Sequence, residues 1–118
     1  MTSVSYNIDQ NQVVGRDASS GTILWSVRFE GPVLQIVALE DDECLALVSA
    51  VATKPTYENL FKIGADGTIR WIVQLLSTHD PVADLIDLGD RVEARTWGGW
   101  RVEIDLNTGH LRNPRFVK

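Results

Sequence analysis

Apolar and polar residues alternate along much of this chain with a period of two. Between Thr68 and Leu75, residues Ile69, Trp71, Val73 and Leu75 share one parity, and Thr68, Arg70, Ile72 and Gln74 share the other. Between Thr22 and Phe29, Ile23, Trp25, Val27 and Phe29 again fall on one side. Alternation of β-branched and aromatic residues with polar ones marks strands that bury one face. The stretch Pro32-Val33-Leu34-Gln35-Ile36-Val37-Ala38-Leu39 is apolar at both parities, which predicts a strand covered on both faces. It aligns without a gap on Pro81-Val82-Ala83-Asp84-Leu85-Ile86-Asp87-Leu88, 49 residues further on. That alignment assigns the acidic stretch 80–90 to a strand, although its acids fall at three- and four-residue spacing. No other segment suggests a helix.

The turns repeat as well. Asp17-Ala18-Ser19-Ser20-Gly21-Thr22-Ile23-Leu24-Trp25 is echoed by Ile63-Gly64-Ala65-Asp66-Gly67-Thr68-Ile69-Arg70-Trp71. It is echoed again by Asp105-Leu106-Asn107-Thr108-Gly109-His110-Leu111-Arg112-Asn113. Gly21, Gly67 and Gly109 stand 46 and then 42 residues apart, a period that suits one four-stranded propeller blade. One unit is expected to place strands at 33–39, 44–51, 59–64 and 68–75, and another at 82–88, 91–97, 100–106 and 110–117. A partial unit precedes them at 3–8, 12–17 and 22–29 and lacks its first strand. The expected fold is therefore all-β: antiparallel four-stranded propeller-like blades in one domain over residues 1–118. Such a chain holds about two and three-quarter repeats, too few to close a propeller ring alone.

The turn pattern Asp-x-x-Ser/Thr-Gly-x-Ile/Leu-x-Trp resembles the PQQ-like repeat of quinoprotein-type β-propellers. Asp17, Ser20, Gly21, Ile23 and Trp25 carry the resemblance, as do Asp105, Thr108, Gly109 and Leu111. The middle copy keeps Gly67, Ile69 and Trp71 with a turn one residue tighter. The last copy has Asn113 in the tryptophan's place and Pro114 within its strand, which predicts an edge strand or a bulge. The chain also resembles short bacterial proteins of unassigned function. The resemblance implies that Trp25 and Trp71 dock one blade on the next, largely buried, with Gly21, Gly67 and Gly109 as structural turn residues. It implies no cofactor here. Quinoprotein enzymes hold quinone and calcium inside a closed ring beside adjacent cysteines, whereas this chain has a single cysteine.

One hairpin has a register that can be argued from side chains alone. A two-residue turn at Gly98-Gly99 would mix charged and apolar groups on both faces. A slip of one residue puts Val92, Ala94 and Thr96 with Val102, Ile104 and Leu106, and puts Arg91, Glu93 and Arg95 with Arg101, Glu103 and Asp105. Because such a slip flips every side chain, the segregated register should prevail. It requires an odd-length loop with a bulge and a glycine at positive φ.

Charge narrows the partners. The formal net charge is −5, with a pI near 4.8, which opposes nucleic-acid binding and leaves room for a basic protein partner. Cys44 lies in an apolar run and reads as a small buried hydrophobe. Neither a signal-like start nor an apolar run of membrane length is present, so no membrane association and a cytoplasmic location are expected. His79 and His110 have no metal-ligand spacing, and Asp84, Asp87 and Asp90 lack a calcium-loop pattern, so no metal is expected. No nucleophile elbow or phosphate loop occurs, and no enzyme is expected. Glu40-Asp41-Asp42-Glu43 reads as an acidic turn, either a solvated hairpin tip or a contact for a basic partner.

The candidate binding residues are Trp97 and Trp100 beside Arg95 and Arg101, because tryptophan and arginine dominate binding hot spots. Incomplete blades predict a homo-oligomer, most simply a dimer, joined through apolar blade faces or strand edges. The expected function is that of a non-enzymatic, self-associating β-repeat protein that binds another protein. A toxin-neutralising immunity protein is the alternative. An oligomeric lectin, with Trp97 or Trp100 stacked on sugar, is a third.

Overall fold

Eleven strands and two short 3-10 turns make up the computed structural model, which describes residues 3–117. In chain order the strands are β1 (Val4–Asp9), β2 (Gln12–Asp17), β3 (Ile23–Arg28), β4 (Val33–Ala38), β5 (Cys44–Val48) and β6 (Leu60–Ile63). They continue with β7 (Ile69–Ile72), β8 (Val82–Asp87), β9 (Val92–Thr96), β10 (Trp100–Ile104) and β11 (Leu111–Phe116). They form three antiparallel meanders: β1-β2-β3, β4-β5-β6-β7 and β8-β9-β10-β11. These are the expected blades, and the first lacks the innermost strand that β4 and β8 supply to the others. Among the described residues no helix is long and apolar enough to cross a membrane.

The blades stack as layers around two cores. Tyr6, Val13, Trp25, Val27 and Phe29 of the first blade meet Cys44, Ala46, Val48, Phe61 and Ile63 of the second. The other face of the second blade presents Val37, Leu45, Leu47, Leu60 and Val73 to Val82, Leu85, Val92, Ala94, Val102 and Ile104 of the third. Every residue of β5 is therefore buried, with successive side chains serving opposite cores. The strand covered on both faces is β5 and not β4. β4 is innermost, with one strand neighbour, and leaves Leu34 57% exposed.

Trp25 and Trp71 join successive blades at equivalent places. The Trp25 indole N–H donates to the Ala65 carbonyl at 2.8 Å, and Trp71 donates to the Leu106 carbonyl at 2.9 Å. Each ring lies against the turn glycine of the next blade, Gly67 or Gly109. Both tryptophans are half-buried, not largely buried as expected, because each sits at the stack's rim, where its N–H reaches a turn carbonyl. Two side-chain amides add further links. The buried Asn59 donates to the Val48 and Val82 carbonyls and accepts from Val82 N–H. Gln35 both donates to and accepts from the Leu85 backbone.

The two outermost blade faces are polar, contrary to the expectation of apolar faces. On the first blade, Arg16 donates to Asn7 Oδ1 at 3.2 Å and to the Gly21 carbonyl at 3.0 Å. On the third, Arg91, Glu93, Arg95 and Arg101 form the outer surface. The β9–β10 hairpin adopts the segregated register, pairing Arg95 with Arg101, Ala94 with Val102 and Glu93 with Glu103. The loop between the strands is Trp97-Gly98-Gly99, with Gly99 at φ 93°. β11, which carries Pro114, is an edge strand with a register shift.

Candidate interaction surface

The tip of the β9–β10 hairpin is held from below by one side chain. Asp80 Oδ1 accepts from Gly98 N–H at 2.6 Å, and Asp80 Oδ2 accepts from the Thr96 hydroxyl at 2.8 Å. Trp97 N–H donates to the Pro81 carbonyl at 3.1 Å, and Val117 N–H donates to the Gly99 carbonyl at 2.8 Å. With its backbone fixed in this way, the Trp97 side chain stands 61% exposed. Trp100 pairs with Phe116 across β10 and β11, ring edge to face, with centroids 5.5 Å apart. Phe116 is 59% exposed. The exposed Trp97 in the loop and the Trp100–Phe116 pair at the strand ends thus lie at one end of the third blade, its aromatic corner.

The four candidate residues do not form one cluster. Trp100 has the parity of the core residues Val102 and Ile104, whereas Arg95 and Arg101 lie on the outer face. Arg95 is half-exposed and pairs with Asp84 at 2.6 Å. Arg101 turns away from the tip and donates to Glu93 at 2.5 Å. Glu93 is the central residue of that face. Its side chain is 3% exposed under Arg91, Arg101 and Arg115, which all contact it. The Arg101 hydrogen bond, aided by the charges and contacts of Arg91 and Arg115, holds the Glu93 carboxyl below the usual range despite its covering. Arg101 is thereby committed to a structural ion cluster.

Sequence reasoning missed Asp80, Glu93 and Phe116. Only the apolar end of β11 hinted at Phe116, and nothing local distinguishes Glu93 from Glu103. Elsewhere the chemistry is muted. Burial pushes the Cys44 thiol up to about 12, with Glu43 adding to the shift, so it is a poor nucleophile. Burial also raises the Tyr6 phenol, whose hydroxyl donates to the Asp42 carbonyl. Among the described residues no group of three His, Cys, Asp or Glu is placed to hold a metal ion.

Comparison with known proteins fits this geometry. The domain of unknown function DUF7957 matches residues 21–116. The chain belongs to that family. DUF7957 here has the fold of a β-propeller segment, for it superposes on the crystal structure of BamB from Moraxella catarrhalis with a TM-score of 0.70 at 19% identity. That match covers 98% of this chain and 35% of BamB. The computationally designed protein Ika8 superposes with a TM-score of 0.61 at 14% identity, covering 95% of this chain and 36% of Ika8. The chain therefore spans about a third of the length of these solved structures. No curated protein matches its sequence.

Proposed function

We propose that this DUF7957 chain is a non-enzymatic β-repeat protein that binds another protein and self-associates, with the aromatic corner of the third blade as its contact surface. The observation that carries this reading is Trp97, 61% exposed on a tip clamped by Asp80. A large aromatic on a backbone that is already fixed loses little freedom on binding. Trp100 and Phe116 pair at the same end of the blade, and Arg95 lies two residues before Trp97. Indole-on-glycine docking supports treating the repeats as PQQ-like in architecture, with a purely structural use and no cofactor. The acidic net charge favours a basic partner, which also suits a toxin-neutralising role. An exposed indole beside an arginine suits sugar stacking, the basis of the lectin reading.

Sedimentation of the wild type and of Trp97→Ala at micromolar concentration tests this proposal. The wild type should run as a dimer. Trp97→Ala should weaken association about thirtyfold or more, equivalent to about 2 kcal/mol. Its unfolding free energy should stay within about 0.5 kcal/mol of the wild type. Trp100→Ala should instead lower stability through its contact with Phe116. A stable wild-type monomer refutes self-association, and specific capture on a glycan array replaces the protein-binding reading with the lectin.

A further inference from the structure

We infer that the cleft between the first two blades, under the loop joining β5 to β6, binds a small organic cation: an amine carried on a ring-sized apolar body. The cleft holds about 310 Å³, at the lower end of the roughly 300–1,000 Å³ of small-molecule sites. That is room for one ring and not for a peptide strand. Both walls lie inside the chain. One is the end of β3 with its link to β4, and the other is the β5–β6 loop. The floor is apolar. Phe61 and Ile72 are cross-strand partners on one face of β6 and β7, and the Phe29 ring meets the Phe61 ring with centroids 4.8 Å apart. Ile72 is 45% exposed, so the fold leaves apolar surface uncovered there.

The loop wall is fixed by its own backbone. Ser49 N–H donates to the Pro32 carbonyl at 3.0 Å, Ala52 N–H to the Ser49 carbonyl at 3.1 Å, and Tyr57 N–H to the Thr53 carbonyl at 3.0 Å. Gly31 packs so closely on Ala52 that a side chain at residue 31 would collide with it, which ties the loop to the β3–β4 link. The Tyr57 ring rests edge-on against His79 of the β7–β8 link, with centroids 5.2 Å apart. A site whose walls already stand loses less order on binding.

The polar rim selects the ligand. The Thr53 hydroxyl donates to the Ala50 carbonyl at 2.8 Å, and the Thr56 hydroxyl donates to the Thr53 carbonyl at 3.1 Å. With those protons committed, both hydroxyls have only acceptor capacity left for a ligand. Glu30 and Glu58 complete the rim, and among the described residues neither forms an ion pair. Arg28 also borders the cleft. It pairs with Gln12 at the parity opposite the core residues Val27 and Phe29, so its side chain belongs to the outer face of the first blade. Acceptors and carboxylates over an apolar floor call for a ligand that donates hydrogen bonds and carries positive charge. An anion of the same shape would meet two like charges.

The test titrates the whole chain with phenethylamine, followed by NMR of the backbone amides. Saturable shifts should centre on Phe29, Phe61 and Ile72. 2-Phenylethanol, the same body without the charge, should bind about tenfold or more weaker, as should 3-phenylpropanoate. That comparison needs no variant. The double variant Glu30→Gln, Glu58→Gln should bind the amine no better than the alcohol, with its urea midpoint unchanged. Ile72→Lys, which sets the chain's own ammonium beside the floor from an exposed strand position, should abolish amine binding. Trp97→Ala should bind phenethylamine as the wild type does, which separates this cleft from the aromatic corner. Equal affinity for the amine and the alcohol, or shifts centred away from the three floor residues, overturns the inference. So does amine binding that survives the double variant. N-acetyl-lysine methylamide, lysine as a protein presents it, should bind more weakly than phenethylamine; tighter binding puts a partner's lysine in the cleft and also overturns it.

Discussion

Replacing Gly109 with alanine would place a methyl group 2.6 Å from the Trp71 ring, well inside any real contact. The same replacement at Gly21 meets nothing within 4 Å among the described residues. The two glycines share a left-handed backbone, φ 81° and 76°, so their conformational penalties match. That shared penalty is about 1–2 kcal/mol for an L-residue. At Gly109 two further costs add to it. Forcing a group into a filled site costs about 1–3 kcal/mol. Moving the indole also strains its hydrogen bond to the Leu106 carbonyl, 2.9 Å long in the native stack and worth about 1 kcal/mol. Gly109→Ala should therefore cost about 3–6 kcal/mol against about 1–2 for Gly21→Ala. Urea unfolding followed by far-UV circular dichroism measures both. Repeating Gly109→Ala in a Trp71→Ala background should bring its cost down to the Gly21 value, because the clashing ring is gone. Equal costs for the two single variants, or an excess at Gly109 that survives removal of Trp71, would refute the docking account.

Two further outcomes are expected. Asn59→Ala strands the Val82 N–H and the Val48 and Val82 carbonyls between the second and third blades, and should cost about 3 kcal/mol in chemical denaturation; a loss under about 1 kcal/mol would show that β8 is held without it. Glu93 has a depressed carboxyl pKa in the fold, so its stabilisation is complete above the unfolded value of about 4.3 and is lost as pH falls through the folded value. Glu93→Gln should then be less stable than the wild type at pH 7, and the gap should close in acid; a gap constant with pH would remove the carboxylate's charge from the explanation.

Much of the architecture was legible because it rests on local alternation. The strand positions, the missing first strand and the β9–β10 register all follow from which parity carries the apolar residues. The docking role of Trp25 and Trp71 was implied by the resemblance to PQQ-like repeats, and the structure leaves both tryptophans half-buried at the rim of the stack. The candidate surface was only half legible. Trp97 was visible as an aromatic beside a glycine turn, but its clamp, Asp80, comes from the loop before β8, and Phe116, the partner of Trp100, comes from β11. Arg101 looked available from its place in β10, and only the folded third blade commits it to Glu93.

The sequence by itself determined the repeat, the strand alternation and the count of blades, because side-chain parity and turn chemistry act within a few residues. Tertiary structure decided which polar groups became interior links. Asn59 and Val82 are 23 residues apart, and Gln35 and Leu85 are 50 apart. Those pairs exist only after blades stack, because a polar side chain stays buried only where stacking brings a matching donor or acceptor to it.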